Sequence, residues 1–108
     1  MSSYQSQIDS CLACTVACER CVTDCIVSNR SECAKLCRDC ADICALSARL
    51  TARNSQFSSD LRALCAMVCK ACASECDKHA MHHDSCKQCA EACRKCAAEC
   101  SVAVIELV

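Results

Sequence analysis

Eighteen cysteines stand in this 108-residue chain, all of them at steps of three and four. They form four blocks: Cys11, Cys14, Cys18, Cys21 and Cys25; Cys33, Cys37, Cys40 and Cys44; Cys65, Cys69, Cys72 and Cys76; Cys86, Cys89, Cys93, Cys96 and Cys100. Within each block the steps of three and four alternate strictly. At about 100° per residue, such a block stays inside an arc of roughly 80°, so each is one stripe along one side of a helix. These are the seams of a helix bundle, with cysteine standing where leucine ordinarily stands.

The rest of the sequence agrees. There is no glycine and no proline, the residues that tight turns with positive or fixed φ normally need, and small disulfide scaffolds, cluster-binding loops and hairpins depend on such turns. Leu, Ile, Val and Phe together number only 19, against 17 alanines. The missing apolar volume must come from alanine and from the thiols, because a protonated thiol packs as a small hydrophobe. Charges of opposite sign recur four residues apart on the outer faces (Arg20 with Asp24, Lys35 with Asp39, Arg38 with Asp42, Glu91 with Lys95), as on a solvated helix surface.

Breaks fall where cysteine stops: Ser28 to Ser31, Asn54 with Ser55, and His79 to Asp84. Asn29 with Glu32 reads as a capping box. Helices are predicted over 3–27, 31–53, 57–79 and 84–105. Short links make consecutive helices antiparallel, so the expected fold is all-α, an up-down-up-down four-helix bundle with residues 1–108 as one domain. The links after the first and third helices then share one end, and the link after the second shares the other end with both termini.

Toward the first end the cysteines run to the helix termini. Toward the second they give way to Ile8, Leu46, Leu50, Phe57, Leu61, Val104 and Ile105, which predicts a plug of carbon. His79 lies three residues beyond Cys76, His83 lies four further, and His82 lies four before Cys86. All three histidines continue the thiol columns at the open end, where at least one is expected to ligate metal. His79 is favoured because the predicted helix still includes it. Met67 falls opposite its cysteine column and is read as outward packing.

Four thiol columns facing one axis make a container roughly 20 Å long lined with sulfur. Soft thiolates select Cu(I), zinc or iron-sulfur clusters. Eighteen thiolates in a dry core carry eighteen negative charges, which about the same number of Cu(I) ions neutralises if each sulfur bridges two coppers. Tetrathiolate zinc leaves two negative charges on every ion. The fit favours many Cu(I) ions per chain, of the order of one per cysteine. A zinc buffer or a copper chaperone is the alternative reading. An iron-sulfur electron-transfer protein comes after it, since such clusters sit in Gly/Pro-containing loops absent here.

Other functions lack support. The net charge of −1 and two aromatic residues give neither a basic face nor a stacking platform for nucleic acid. Nothing pairs a nucleophile with a base, so no enzyme activity is expected. The start, MSSYQSQIDS, has no basic region leading into an apolar one, and the longest apolar run, from Ala63 to Cys69, is far too short to span a bilayer. No membrane partner is expected, and a cytoplasmic location is, with thiols held reduced.

The stretches CLACTVACERCVTDC, CAKLCRDCADIC, CAMVCKACASEC and CKQCAEACRKCAAEC make the chain resemble the bacterial copper storage proteins, specifically their cytosolic branch. The resemblance runs from Cys11 to Cys100. It implies a four-helix bundle whose inward cysteines, all eighteen here, bind many Cu(I) ions, with polar or histidine ligands at one mouth and assembly into a homotetramer. The exported branch places methionines at the mouth, where this chain has only Met81. Independently of the family, Leu12, Val22, Ile26, Leu61, Leu64 and Val68 flank the sulfur stripes and predict self-association. A protein that donates or receives the copper is not named by any motif.

Overall fold

In a computed structural model, which describes the backbone of residues 4–106 and the side chains of residues 4–102, the chain forms α1 (Gln5–Val27), α2 (Ser31–Ala52), α3 (Ser58–Asp77) and α4 (Asp84–Glu106). Each helix packs against the next, and α4 closes the ring against α1, while among the described residues no backbone contact joins α1 to α3 or α2 to α4. The cross-section is therefore a square with the four cysteine stripes turned inward. The molecule measures 41 × 19 × 18 Å.

A chain without glycine must still reverse direction, and asparagine solves this twice. Asn29 and Asn54 have φ of 60° and 55°, the left-handed region that asparagine tolerates better than most residues. At the first link the Asn29 amide donates to Ile26 O and the Arg30 amide to Cys25 O. At the second, Asn54 donates to Thr51 O and Ser55 to Leu50 O. Both are Schellman closures with asparagine at the turning position.

Asn29 is consequently consumed in ending α1. The capping box expected with Glu32 does not form: the N-cap of α2 is Arg30, with no side-chain capping bond. The third helix also stops earlier than expected, at Asp77, because the amides of Lys78 and His79 turn back to Glu75 O and Cys76 O in a tighter turn. His79 stands in that turn, not on the helix. On the surface, the ion pairs among the described residues are Lys35–Glu32, Lys78–Glu75 and Arg94–Asp77, and His79 lies against Glu75. The four expected from spacing are not among them.

Candidate metal centre

All eighteen cysteines are free and 0–1% exposed, and with a few alanines and Val22 they are the apolar core. Every helix contributes its stripe, because a step of three or four returns the side chain to the same face. The sulfurs meet along the sides of the square, as Cys44 with Cys65 at 3.5 Å and Cys21 with Cys86 at 3.7 Å. They also meet across its diagonals: Cys11 lies 3.9 Å from Cys65 and Cys37 lies 3.8 Å from Cys89. Helices whose backbones never touch thus have sulfurs in contact. The centre is a rod of sulfur, and ions must insert between the thiols.

Along the rod, successive groups of four sulfurs lie within 4.8 Å of one another: Cys11, Cys65, Cys96 and Cys100; Cys14, Cys44, Cys69 and Cys96; Cys14, Cys18, Cys40 and Cys93; Cys18, Cys72, Cys89 and Cys93; Cys21, Cys33, Cys37 and Cys76. Cys14, Cys18, Cys93 and Cys96 each belong to two of these groups, which bridging coordination requires. Spacing alone does not choose the ion, since a tetrahedral zinc with bonds of about 2.3 Å sets its sulfurs about 3.8 Å apart. Charge chooses: monovalent ions neutralise a dry thiolate rod, and shared tetrathiolate sites of divalent zinc cannot be filled independently.

The mouth lies where α1 meets α2 and α3 meets α4. Burial pushes the Cys25 thiol up to about 12 and raises Cys33 and Cys86 as well. His79 Nε2 lies 3.0 Å from Glu75 Oε2, and hydrogen bonds from His79 and then Lys78 hold Glu75 below the usual carboxylate range. His82 is exposed and His83 half-buried. Burial and then the Arg30 guanidinium push His83 below the usual imidazole range.

Arg30, which the sequence reading did not single out, sits at the centre of this mouth. Its Nη1 lies 2.9 and 3.0 Å from the two ring nitrogens of His83, and its Nη2 donates to Cys86 Sγ at 3.6 Å. Burial works against its charge, yet Cys25 and Cys86 hold its pKa above the ordinary guanidinium value.

The other end contradicts the expected carbon plug. Phe57 is 56% exposed and Leu46 is also exposed, Leu50 and Leu61 are half-buried, and of the expected residues that are described only Ile8 packs against the core. The side chains of Val104 and Ile105 lie outside the described residues. The buried groups are instead Gln7, Ser10, Ser47, Thr51, Ser58 and Arg62. Arg62, 2% exposed, donates to Thr51 Oγ1 at 3.1 Å and lies 4.5 Å from the centroid of the Tyr4 ring. Gln7 Nε2 donates to Cys11 Sγ at 3.1 Å and lies 3.3 Å from Ser47 Oγ. The signal for these residues was present: the step of three or four that leads from Cys76 to His79 also leads from Cys33 back to Arg30, from Cys65 back to Arg62 and from Cys11 back to Gln7.

Comparison with known proteins decides the family, since the family model described as copper storage protein matches residues 1–104. The chain belongs to the copper storage protein family. Among its relatives is an uncharacterized cysteine-rich protein, YhjQ, of Bacillus subtilis, 43% identical over 92 residues that cover 81% of this chain and 83% of the relative. The Cu(I)-bound copper storage protein BsCsp3 superposes with a TM-score of 0.88 at 40% identity, covering 94% of this chain and 97% of that one. A cytosolic copper storage protein from Streptomyces lividans, described with five coppers, gives a TM-score of 0.90 at 33% identity over 95% of this chain and 92% of that one. The matched family is described by the storage of copper and not by a catalysed reaction. No helix among the described residues is long and apolar enough to cross a membrane.

Proposed function

We propose that this chain stores Cu(I) along its sulfur rod, with all eighteen cysteines as ligands and about one ion per thiol at saturation. The observation that carries the reading is the continuous chain of sulfur contacts at 3.5–4.0 Å through the middle of the bundle. Each thiol gives up its proton to bind, so the bound state exchanges buried protons for buried monovalent ions and leaves the charge of the core unchanged. That neutrality lets a bundle with no buried carboxylate among its described residues hold many ions. The burial of every thiol argues against a chaperone, which needs a donor pair that a partner can reach.

His79, His82 and His83 form the loading end. His83, linked to Cys86 through Arg30, is the histidine best placed to hand an ion to the rod. His79 is tied to Glu75, and His82 is free to meet solvent. The whole chain acts as one storage unit without catalytic chemistry. It works in the cytoplasm, the location given for the Streptomyces relative, where it keeps excess copper from other thiols.

Homotetramer formation is part of the proposal. Leu12, Ile26 and Leu64 present apolar surface outward, joined by Val16 and Met67. Val22 is buried within the bundle and Val68 packs against its core, so those two drop out of the candidate interface. Sedimentation across micromolar concentrations should give a species of four chains, and a monomer throughout would contradict it.

Titration with Cu(I) under anaerobic conditions, with released protons counted, tests the ligand assignment. About one proton per copper should leave until the thiols are exhausted. Release that stops after one or two equivalents would contradict eighteen working ligands.

A further inference from the structure

Arg30 occupies a position where an arginine does nothing for its own helix. It is the N-cap of α2, where a short side chain with an oxygen acceptor is preferred and where the helix dipole disfavours positive charge. Among the described residues it makes no ion pair, although Asp24 and Glu32 lie nearby in sequence, and its Nε is buried without a hydrogen-bond partner. What it touches is the rim of the sulfur rod, Cys86 and His83. A fixed cation with an unused donor, set against the first thiols that incoming copper meets, is an anion site.

A bare Cu(I) ion approaching this mouth meets a like charge. A Cu(I) ion held by two thiolates has a core charge of −1 and is attracted to the guanidinium. We propose that Arg30 makes the mouth a receptor for copper delivered as an anionic bis-thiolate complex of a small thiol, and that it pairs with the first two-cysteine Cu(I) unit formed there. This rests on the storage reading above.

The exchange balances without an oxidant or reductant. Two bonds from copper to the donor sulfurs break, and two form to Cys86 and a neighbouring thiol, Cys21 at 3.7 Å or Cys33 at 4.0 Å. The two cysteine protons leave on the two donor sulfurs as free thiols. Copper stays Cu(I) throughout, and the single negative charge passes from the donor complex to the bis-cysteinyl unit beside Arg30. As later ions bridge the same sulfurs, that charge is neutralised and the arginine is released for the next complex.

The test is stopped-flow loading of the full chain, anaerobically, from two donors: Cu(I) in excess glutathione and the cationic Cu(I)–acetonitrile complex. Arg30→Met should slow loading from the glutathione complex about tenfold, within the range by which charge steers association, and remove its dependence on salt. It should leave loading from the acetonitrile cation unchanged or faster. Arg30→Lys keeps the charge and should retain most of the rate and the salt dependence. Equal changes with both donors would mark Arg30 as a plug or a structural residue and overturn the proposal, as would a parental rate from glutathione with Arg30→Met. Saturating capacity, read in the same samples, keeps the storage reading separate: a parental protein that binds only one or two coppers defeats storage, whereas full capacity with no donor dependence defeats only the role of Arg30.

Discussion

The two ends of the sulfur rod each carry an arginine one helical turn beyond the last cysteine of its stripe, yet the two arginines live in different surroundings. Arg62 is 2% exposed, faces the Tyr4 ring and bonds to Thr51. Arg30 is half-buried, faces a histidine and bonds to a thiol. The first is locked into a packed polar layer of Gln7, Ser47 and Thr51 and closes the rod. The second borders solvent at the end of the rod. Identical side chains in equivalent seam positions thus make a wall at one end and a mouth at the other, and the difference lies in what surrounds them.

The largest effect that would sharpen this contrast is alkaline unfolding of the metal-free protein. Burial raises Cys25, Cys33 and Cys86 at the mouth, Cys25 from 9.0 to about 12. A folded pKa above the unfolded one gives stability that is whole below the unfolded value and is lost as pH rises through the folded value. Denaturant midpoints of the metal-free protein should therefore hold up to about pH 9 and fall steeply from there toward pH 12, while the copper-loaded protein, its thiols already deprotonated and paired, should show no such fall. A flat profile for the metal-free form would remove the claim that neutral thiols make the core.

At the closed end, Arg62→Ala should cost about 3 kcal/mol, through the cavity it leaves and the loss of the contact with Tyr4. Arg62→Met keeps the volume and removes a buried charge, so its stability should lie within about 1 kcal/mol of the parent. Chemical denaturation of both variants checks this pair. If Arg62→Met were as damaging as Arg62→Ala, the charge itself would be needed there and the closed end would be more than a wall.

At the mouth, replacing His79, His82 and His83 together by alanine should slow loading or removal of Cu(I) by up to about tenfold, the lower part of the range for groups that orient a metal site. Capacity should be unchanged, since the thiolates hold the ions. Stopped-flow absorbance gives the rate and elemental analysis the capacity. Loss of most of the copper at saturation would mean that the histidines belong to the store itself.

The four helices, their antiparallel order and the inward cysteines were legible because one physical rule, the return of a helix to the same face every three or four residues, was written in a single residue type eighteen times over. The polar closed end was not legible, because Leu46, Phe57 and Leu61 stand out by their hydrophobicity while the seam itself passes through Gln7, Ser47, Thr51 and Arg62. Hydrophobic character named the wrong residues, and phase would have named the right ones. The Asn29 cap failed for a different reason: one asparagine could end α1 or begin α2, and the positive φ needed to turn a glycine-free link took it for the first. His79 was placed on the helix because the turn that ends α3 leaves no mark in side-chain pattern.

Whether the rod is a store is tested most directly by counting. The metal-free, fully reduced protein is saturated with Cu(I) under anaerobic conditions, freed of unbound copper by gel filtration, and its copper per chain measured by elemental analysis. The expected result is of the order of one copper per cysteine, close to the eighteen thiols of the sequence, with no thiol left to react with an alkylating reagent. One or two coppers per chain, with most thiols still reactive, would contradict it.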